Sequence, residues 1–489
     1  MVSRYIKYNV ASFQMGKHDF SNQEKIIKET VLKEQESGLY NIKIDGIGIY
    51  HFIKRGLRSW ILHCNGIEMS YSPPIVSNSE HRKNVLKSLW QLFVLLLRGK
   101  KYNTFIYSFR TDKINGIYMD KFTDPLIDYS DIGKSYIVFE SDGNGAHNRP
   151  RAHADKVVFA DAIDWLADIL AHCKLKQKDS IIQRKWEELK HTIEKTFPNT
   201  DLSKTKYKYY ITKGLYIVKI YRFIFRRLKI RFFISPARAS FLYLIPAAKQ
   251  ENVKVFELQH GAIYGFSRIY AGRIDYDPLF MPDKFFTYGD FPDNRYDAFG
   301  LLREDYINIG WAYGLYLSSY NKEEVLHNES FDRVLFISDL IFPNQRELFI
   351  GHFIELAKKN PSIKFCYRRH PQEAITQSQR EKLVSEKNII IDDGSENIFS
   401  VIMKFDNVIG INSSGLYDAL NLGKKVGKLR INGVCEPSFI SKSDEQFFYL
   451  ITDNQSFIEY IKAPMNSKPK KNVYSPFSAH VLNNELTLA

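Results

Sequence analysis

NVIGINSSGLYDALNLGKKVGKL, Asn407–Leu429, decides the fold. An apolar strand-like run ends in the turn Asn412-Ser413-Ser414-Gly415, the helical run LYDALNLG follows, and KKVGKL reads as a second strand. Two strands joined by a helix must lie parallel, with the helix crossing over the sheet. The same rhythm extends towards the N-terminus. RVLFIS (Arg333–Ser338) precedes the helical QRELFIGHFIELAKKN. IKFCYRRHP, a helix near Gln377–Ser385, NIIIDDG and the helical ENIFSVIMK then lead into Asn407. Four βα units in roughly a hundred residues predict a doubly wound unit, which binds ligands beyond the carboxyl ends of its strands.

The first half carries a looser version of the pattern. The first eighty residues read as irregular, with strand-like runs at Tyr40–Tyr50 and Trp60–His63. From about residue 84 helices and strands alternate. The strands are TFIYSF (Thr104–Phe109), YIVFES (Tyr136–Ser141), IRFFIS (Ile230–Ser235), VKVFEL (Val253–Leu258), KFFTYG (Lys284–Gly289) and YINIG (Tyr306–Gly310). The polar stretch Tyr313–Phe331 breaks the rhythm and marks a boundary. The expected fold class is therefore α/β, with two Rossmann-like doubly wound domains whose strand tips face a central cleft. The N-terminal domain is residues 1–320, with a basic insertion near 202–250, and the C-terminal domain is 321–455. A tail, 456–489, packs back on the first domain.

At 489 residues the chain is long for one core, and 44% hydrophobic with 25% charged residues is ordinary globular composition. Cys64, Cys173, Cys366 and Cys435 lie far apart with no paired spacing, so neither a disulfide framework nor a zinc site is indicated. A reducing, cytoplasmic setting fits. The N-terminus has no signal-peptide run, and no stretch reaches the roughly 18 apolar residues of a membrane span.

The formal charge of +14 is concentrated. Between Leu202 and Gln250 stand twelve Lys or Arg and no Asp or Glu, interleaved with aromatics. That segment reads either as a surface for an anionic partner or as a helix with a buried apolar stripe and a solvated basic face. Asn84–Lys101, NVLKSLWQLFVLLLRGKK, is a second such segment: its apolar centre is bracketed by Lys87 and Arg98-Gly99-Lys100-Lys101. It is either an interfacial helix on the inner face of the cytoplasmic membrane or a buried helix. With no zinc finger, ribonucleoprotein motif or repeated basic helix, nucleic acid is not an expected partner.

Three strand ends carry chemistry. Ser413, Ser414 and Gly415 open a helix, where free backbone N–H groups and the helix dipole favour an anion. Arg368, Arg369, His370 and Pro371 add cationic side chains at a strand end of the same sheet. Gln259, His260 and Gly261 follow VKVFEL, with the glycine permitting close backbone approach by a ligand. Carboxylates suited to proton abstraction or nucleophilic attack are Asp142, in ESDGNG, Glu257 and Asp275, and the sequence does not choose among them. Asp392-Asp393-Gly394 shares the second domain's rim. No phosphate loop, HExxH, GxSxG or metal site is present, and no cofactor or metal is expected.

ELQHG (257–261), PDKFFTYGD (282–290), RRHPQE (368–373), IDDGSENIF and GINSSGLYDAL (410–420) resemble the GT-B glycosyltransferases that build bacterial capsule and lipopolysaccharide glycans. The HP element followed by Ser-Ser is similar to the pattern in bacterial sialyltransferases and Kdo transferases. That resemblance implies a CMP-activated acidic sugar as donor and a saccharide or lipid-linked glycan as acceptor. His370 and Pro371 would contact the nucleotide, and Ser413 and Ser414 would hold its phosphate. In several sialyltransferases an acid-acid-Gly motif precedes HP. Here Asp392-Asp393-Gly394 follows it, and Glu140-Ser141-Asp142-Gly143 matches only loosely. The QHG element also resembles transferases of the CDP-glycerol and capsule-synthesis groups. A UDP-sugar or CDP-glycerol-type transferase and a non-enzymatic membrane scaffold stay open as alternatives.

Overall fold

The computed structural model describes residues 20–65, 78–108, 112–141, 147–260, 278–289, 301–317, 333–338, 343–431, 445–465 and 474–488, apart from scattered positions such as Pro371, Asp393 and Asn412. Two parallel sheets organise the chain. The strands of the first are β1 Thr104–Ser108, β2 Tyr136–Glu140, β3 Val157–Phe159, β4 Phe232–Pro236, β5 Lys254–Leu258, β6 Lys284–Thr287 and β7 Tyr306–Asn308. Those of the second are β8 Arg333–Ile337, β9 Lys364–Arg368, β10 Ile389–Asp392, β11 Asn407–Gly410, β12 Lys425–Leu429 and β13 Tyr449–Ile451.

Across the first sheet the order is β7-β6-β5-β4-β1-β2-β3, and across the second β10-β9-β8-β11-β12-β13. Both start with a central strand, wind outwards to one edge, then return to the centre and wind to the other. This is the doubly wound order, and it creates a crevice where the winding reverses. The reversal lies between β1 and β4 in the first sheet and between β8 and β11 in the second. The fold is α/β with two Rossmann-like halves, the GT-B-like arrangement expected from the sequence.

Buried strands read as nearly continuous apolar runs because helices cover both faces. In the first sheet Phe105, Phe139 and Phe233 pack with Leu92, Leu95, Ala162, Ala167, Tyr221 and Phe225 on one face. Ile106, Val138, Ile234 and Phe256 point to the other, where Leu482 of the C-terminal helix Ala479–Leu488 joins them.

The basic segment is not an insertion. Its helix, Tyr207–Leu228, buries Ile211, Leu215, Val218, Tyr221 and Phe225 and leads directly into β4. Several of its cations are paired: Lys213 with Asp164 at 2.8 Å and Asp168 at 2.7 Å, and Arg222 and Arg226 with Glu251 at 2.9 and 2.7 Å. Trp60–His63 is not a strand but part of the helix Lys54–Cys64. Its buried positions Leu57, Arg58, Ile61 and Leu62 recur at helical spacing.

The tail reaches both halves. The Tyr474 hydroxyl donates to Asp418 at 2.7 Å, while Ser475 N–H donates to the Tyr288 carbonyl, Trp311 N–H to Ser475 and Ser478 N–H to Ile309. Gly310 makes this return possible. Its φ is +76°, and a Cβ there would stand 2.1 Å from the Pro476 carbonyl oxygen. Trp311 and Tyr313 meet Phe399 of the second half at ring distances of 5.3 and 5.0 Å, and the Tyr474 ring lies tilted against Trp311 at 5.2 Å.

Candidate functional site

The carboxyl ends of both sheets open onto one cleft lined by residues of both halves. Its floor in the second half is the crevice between β8 and β11, lined by Ile337, Ser338, Ser413, Ser414 and Gly415. Ser413 caps the helix Ser414–Asn421, its side chain accepting from Gly415 N–H at 3.3 Å, and Ser414 is exposed to the cleft. Gly415 lets the helix start press against β8: a Cβ there would lie 3.2 Å from Ile337 Cδ1. The result is a row of backbone N–H groups and two hydroxyls at the positive end of a helix, which suits a phosphate.

The second wall follows β9. Arg369 is exposed and His370 partly so, and both line the cleft. Arg368 has a different task. Its guanidinium donates to Asp392 Oδ2 and to the Glu396 carbonyl, each at 2.7 Å, and it is 8% exposed. It ties the end of β9 to that of β10, and Asp392 is committed to that pair. The loop carrying His370 is set by Glu373, a residue to which the sequence reading gave no role. The Glu373 carboxylate accepts from His370 N–H at 3.2 Å and from the Tyr367 hydroxyl at 2.9 Å, and Tyr367 and Ser338 hydroxyls are 3.0 Å apart.

From the first half the cleft receives His260, Lys121, Phe122 and Tyr288. His260 sits just past β5 and is exposed. Gln259 beside it is buried, its amide oxygen accepting from Tyr288 N–H at 2.7 Å, which aligns the ends of β5 and β6. Glu257 is 2% exposed and does not line the cleft. Its carboxylate accepts from Arg238 N–H at 2.8 Å and lies 3.5 Å from the Arg238 guanidinium. Asp142, Asp275, Gly261 and Pro371 lie outside the described residues.

The structure thus brings His260, Arg369, His370, Ser413, Ser414 and Gly415 to one cleft and sets Glu257 and Gln259 beneath it. It adds Asp418, one turn into the helix that Ser413 caps. Burial pushes the Asp418 carboxyl up to about 6, against the Tyr474 hydroxyl bond and the nearby Lys121 charge. The spacing Ser414 to Asp418 places both on one helical face, the only signal in the sequence that could have found it. Tyr474 arrives from the distant tail, and no local pattern announces it.

The other strand ends of the first half are closed by paired charges. The Asp120 carboxylate accepts from Ser108 at the end of β1 at 2.8 Å, and burial and the Asp124 charge push its pKa up to about 6. Glu140 at the end of β2 holds Arg151 at 2.9 Å and His147 at 2.7 Å, while Arg151 also pairs with Asp124. His147 reaches Asp161 at 2.8 Å with its other nitrogen and stacks on Phe159. Burial alone would lower the His147 pKa, but its hydrogen bonds to Asp161 and Glu140 outweigh that and raise it. Among the described residues no group of three or more His, Cys, Asp or Glu is arranged to hold a metal ion.

No protein-family model and no curated protein sequence matches the chain. Several solved structures are similar in shape. A UDP-GlcNAc 2-epimerase from Methanocaldococcus jannaschii superposes with a TM-score of 0.48 at 11% identity, covering 79% of this chain and 100% of its own. A UDP-GlcNAc 2-epimerase from Neisseria meningitidis, bound to UDP-GlcNAc, gives 0.44 at 13% identity, covering 79% and 99%. The wall teichoic acid polymerase TagF gives 0.40 at 12% identity, covering 79% and 89%.

Proposed function

We propose that this chain is a glycosyltransferase that moves an acidic sugar, Kdo or a sialic-acid-like nonulosonate, from a CMP-sugar to a saccharide acceptor in bacterial surface-glycan synthesis. One observation carries the reading. A helix N-terminus with two hydroxyls, flanked by Arg369 and His370, faces His260 across a cleft between two doubly wound halves. Such a helix start neutralises a leaving phosphate. His370 of the HP element and the Ser-Ser pair, the elements that resemble CMP-sugar enzymes, both line that cleft.

A CMP-linked acidic sugar brings two anionic groups, one phosphate and one carboxylate. The cleft answers with cations from both halves, Arg369 on one side and Lys121 on the other. The helix start and Arg369 neutralise the phosphate in place of a metal ion. His260 takes the proton of the acceptor hydroxyl, the general-base work that an imidazole can do. Glu257, buried and paired with Arg238, fits a positioning role better than direct attack on the sugar. Asp142 and Asp275 remain the candidate carboxylates of the first half.

The test is a thermal-shift panel with CMP, CDP, UDP, GDP and ADP, followed by an assay of CMP release from CMP-Kdo and CMP-sialic acid with glycan acceptors. A ligand that binds only the folded state raises its stability with concentration. Stabilisation by CMP, lost in His370→Ala, with sugar-dependent CMP release supports the reading. Preference for UDP or CDP keeps the transferase but moves the donor to the UDP-sugar or CDP-glycerol class. No response to any nucleotide contradicts it and favours a glycan-binding scaffold.

A further inference from the structure

The helix Asn78–Arg98 packs one side on the first sheet and turns the other outwards. Val85, Ser88, Leu92 and Leu95 are buried. The seating is fixed by polar contacts: the Ser88 hydroxyl donates to the Phe159 carbonyl and accepts from Ala162 N–H, and the Gln91 amide bonds both Phe159 N–H and the Val157 carbonyl. The helix therefore cannot roll to hide its outer side. On that side Leu86, Trp90, Phe93 and Leu97 are 67, 65, 55 and 66% exposed.

The spacing of these four, i, i+4, i+7, i+11, places them on one stripe about 16 Å long at 1.5 Å per residue. Two neighbouring helices cover the same sheet face, and they too expose large apolar groups: Trp165 on Asp161–Lys176 and Phe223 on Tyr207–Leu228. An exposed apolar stripe of this kind marks a docking face. Its border is cationic, with Arg82, Lys83, Lys87, Arg98, Lys100 and Lys101 all exposed and Glu80 the one acidic residue on the outer part of this helix.

We propose that this face seats the protein on an anionic phospholipid surface, with the Leu86–Leu97 stripe entering the headgroup–acyl boundary and the flanking Lys and Arg meeting lipid phosphates. An aromatic and aliphatic stripe between basic flanks is the composition of a helix that lies in a membrane interface. No helix among the described residues is long and apolar enough to cross a membrane, so the contact is peripheral. A second copy of the chain is the poorer occupant, because a symmetric pairing of this face would bring its basic borders together. A nucleic acid would leave the apolar stripe uncovered. This inference does not depend on the glycosyltransferase reading.

The experiment is co-sedimentation of the full chain with phosphatidylcholine vesicles, with and without phosphatidylglycerol, for wild type and the double variant Trp90→Glu/Phe93→Glu. Leu348→Glu, at an exposed apolar position of the second half, is the control. The expected result is salt-sensitive binding to the anionic vesicles that falls about tenfold or more in the double variant, as loss of both aromatic anchors demands. The control binds like wild type, and all three proteins melt alike. Equal binding to neutral and anionic vesicles, or binding unchanged in the double variant, overturns the proposal. So does a wild type that ignores vesicles but elutes as a dimer that the double variant dissolves.

Discussion

Two sheets of the same winding order end in opposite ways. At the tips of the first, Ser108, Glu140 and Glu257 are locked into buried pairs with Asp120, Arg151 and Arg238, and among the described residues mainly His260 and Lys121 reach the cleft. At the tips of the second, Ser414 and Arg369 are exposed and His370 half-exposed, all three lining the cleft, and the charges behind them, Arg368, Asp392 and Glu373, hold the loops in place. One fold can thus serve as a rigid wall or as a ligand cradle. Which it becomes depends on whether the strand-end polar groups are buried in pairs or face the cleft.

The closed half should fail hardest when a pair is broken. Arg151 has a fully buried side chain between Asp124 and Glu140. Arg151→Met takes the paired guanidinium from buried Asp124 and leaves Glu140 to His147 and Arg149, and should cost about 3–5 kcal/mol in denaturant unfolding. A loss below 1 kcal/mol would mean that the pairs are not what closes this half.

The open half should lose binding and keep its stability. Arg369→Ala/His370→Ala should weaken nucleotide affinity by about tenfold to a hundredfold, the worth of charge-assisted hydrogen bonds. Its melting temperature without ligand should stay near wild type, since Arg369 is exposed. Calorimetric titration beside a thermal melt separates the two effects.

Between the halves, Gly310→Ala forces a side chain into the Pro476 carbonyl at a left-handed backbone position. The expected cost is about 1–3 kcal/mol, with faster proteolysis near residues 474–478. A variant as protease-resistant as wild type would show that the tail is not held there.

The smallest effect concerns Asp418. Its folded pKa of about 6 is above the unfolded value of 3.8, so the folded state binds more protons between these limits. Its contribution to stability is therefore present at low pH and is lost as pH rises through about 6. Asp418→Asn should remove that decline, visible as a difference between variant and wild type that shrinks as pH falls from about 6 towards 3.8 and is constant below. A difference that does not change with pH would place Asp418 in water.

Five of the second sheet's six strands were legible because each is a short apolar run followed directly by a polar tip or turn; the three-residue edge strand Tyr449–Ile451 is too short to stand out. His260, His370, Ser413 and Ser414 could be found for the same reason. The Glu373 carboxylate acts through His370 N–H and the Tyr367 hydroxyl, and Asp418 through a tail hydroxyl, contacts that the strand-and-turn pattern does not encode. The helix Tyr207–Leu228 misled because a basic composition does not say where the charges go. Asp164, Asp168 and Glu251, far from it in sequence or beyond its end, absorb several of them. The helix Asn78–Arg98 buries one side, as its buried-helix reading expected, and exposes large apolar residues on the other.

The central claim is that a nucleotide sits on the second half, at the crevice between β8 and β11. Amide hydrogen exchange with and without CMP tests it directly. Slowed exchange in peptides covering Ser338, Arg369–Glu373 and Ser413–Leu416, with the tips of β1 and β2 unchanged, is the predicted result. Protection confined to the first half, or none at saturating CMP, CDP or UDP, would contradict it.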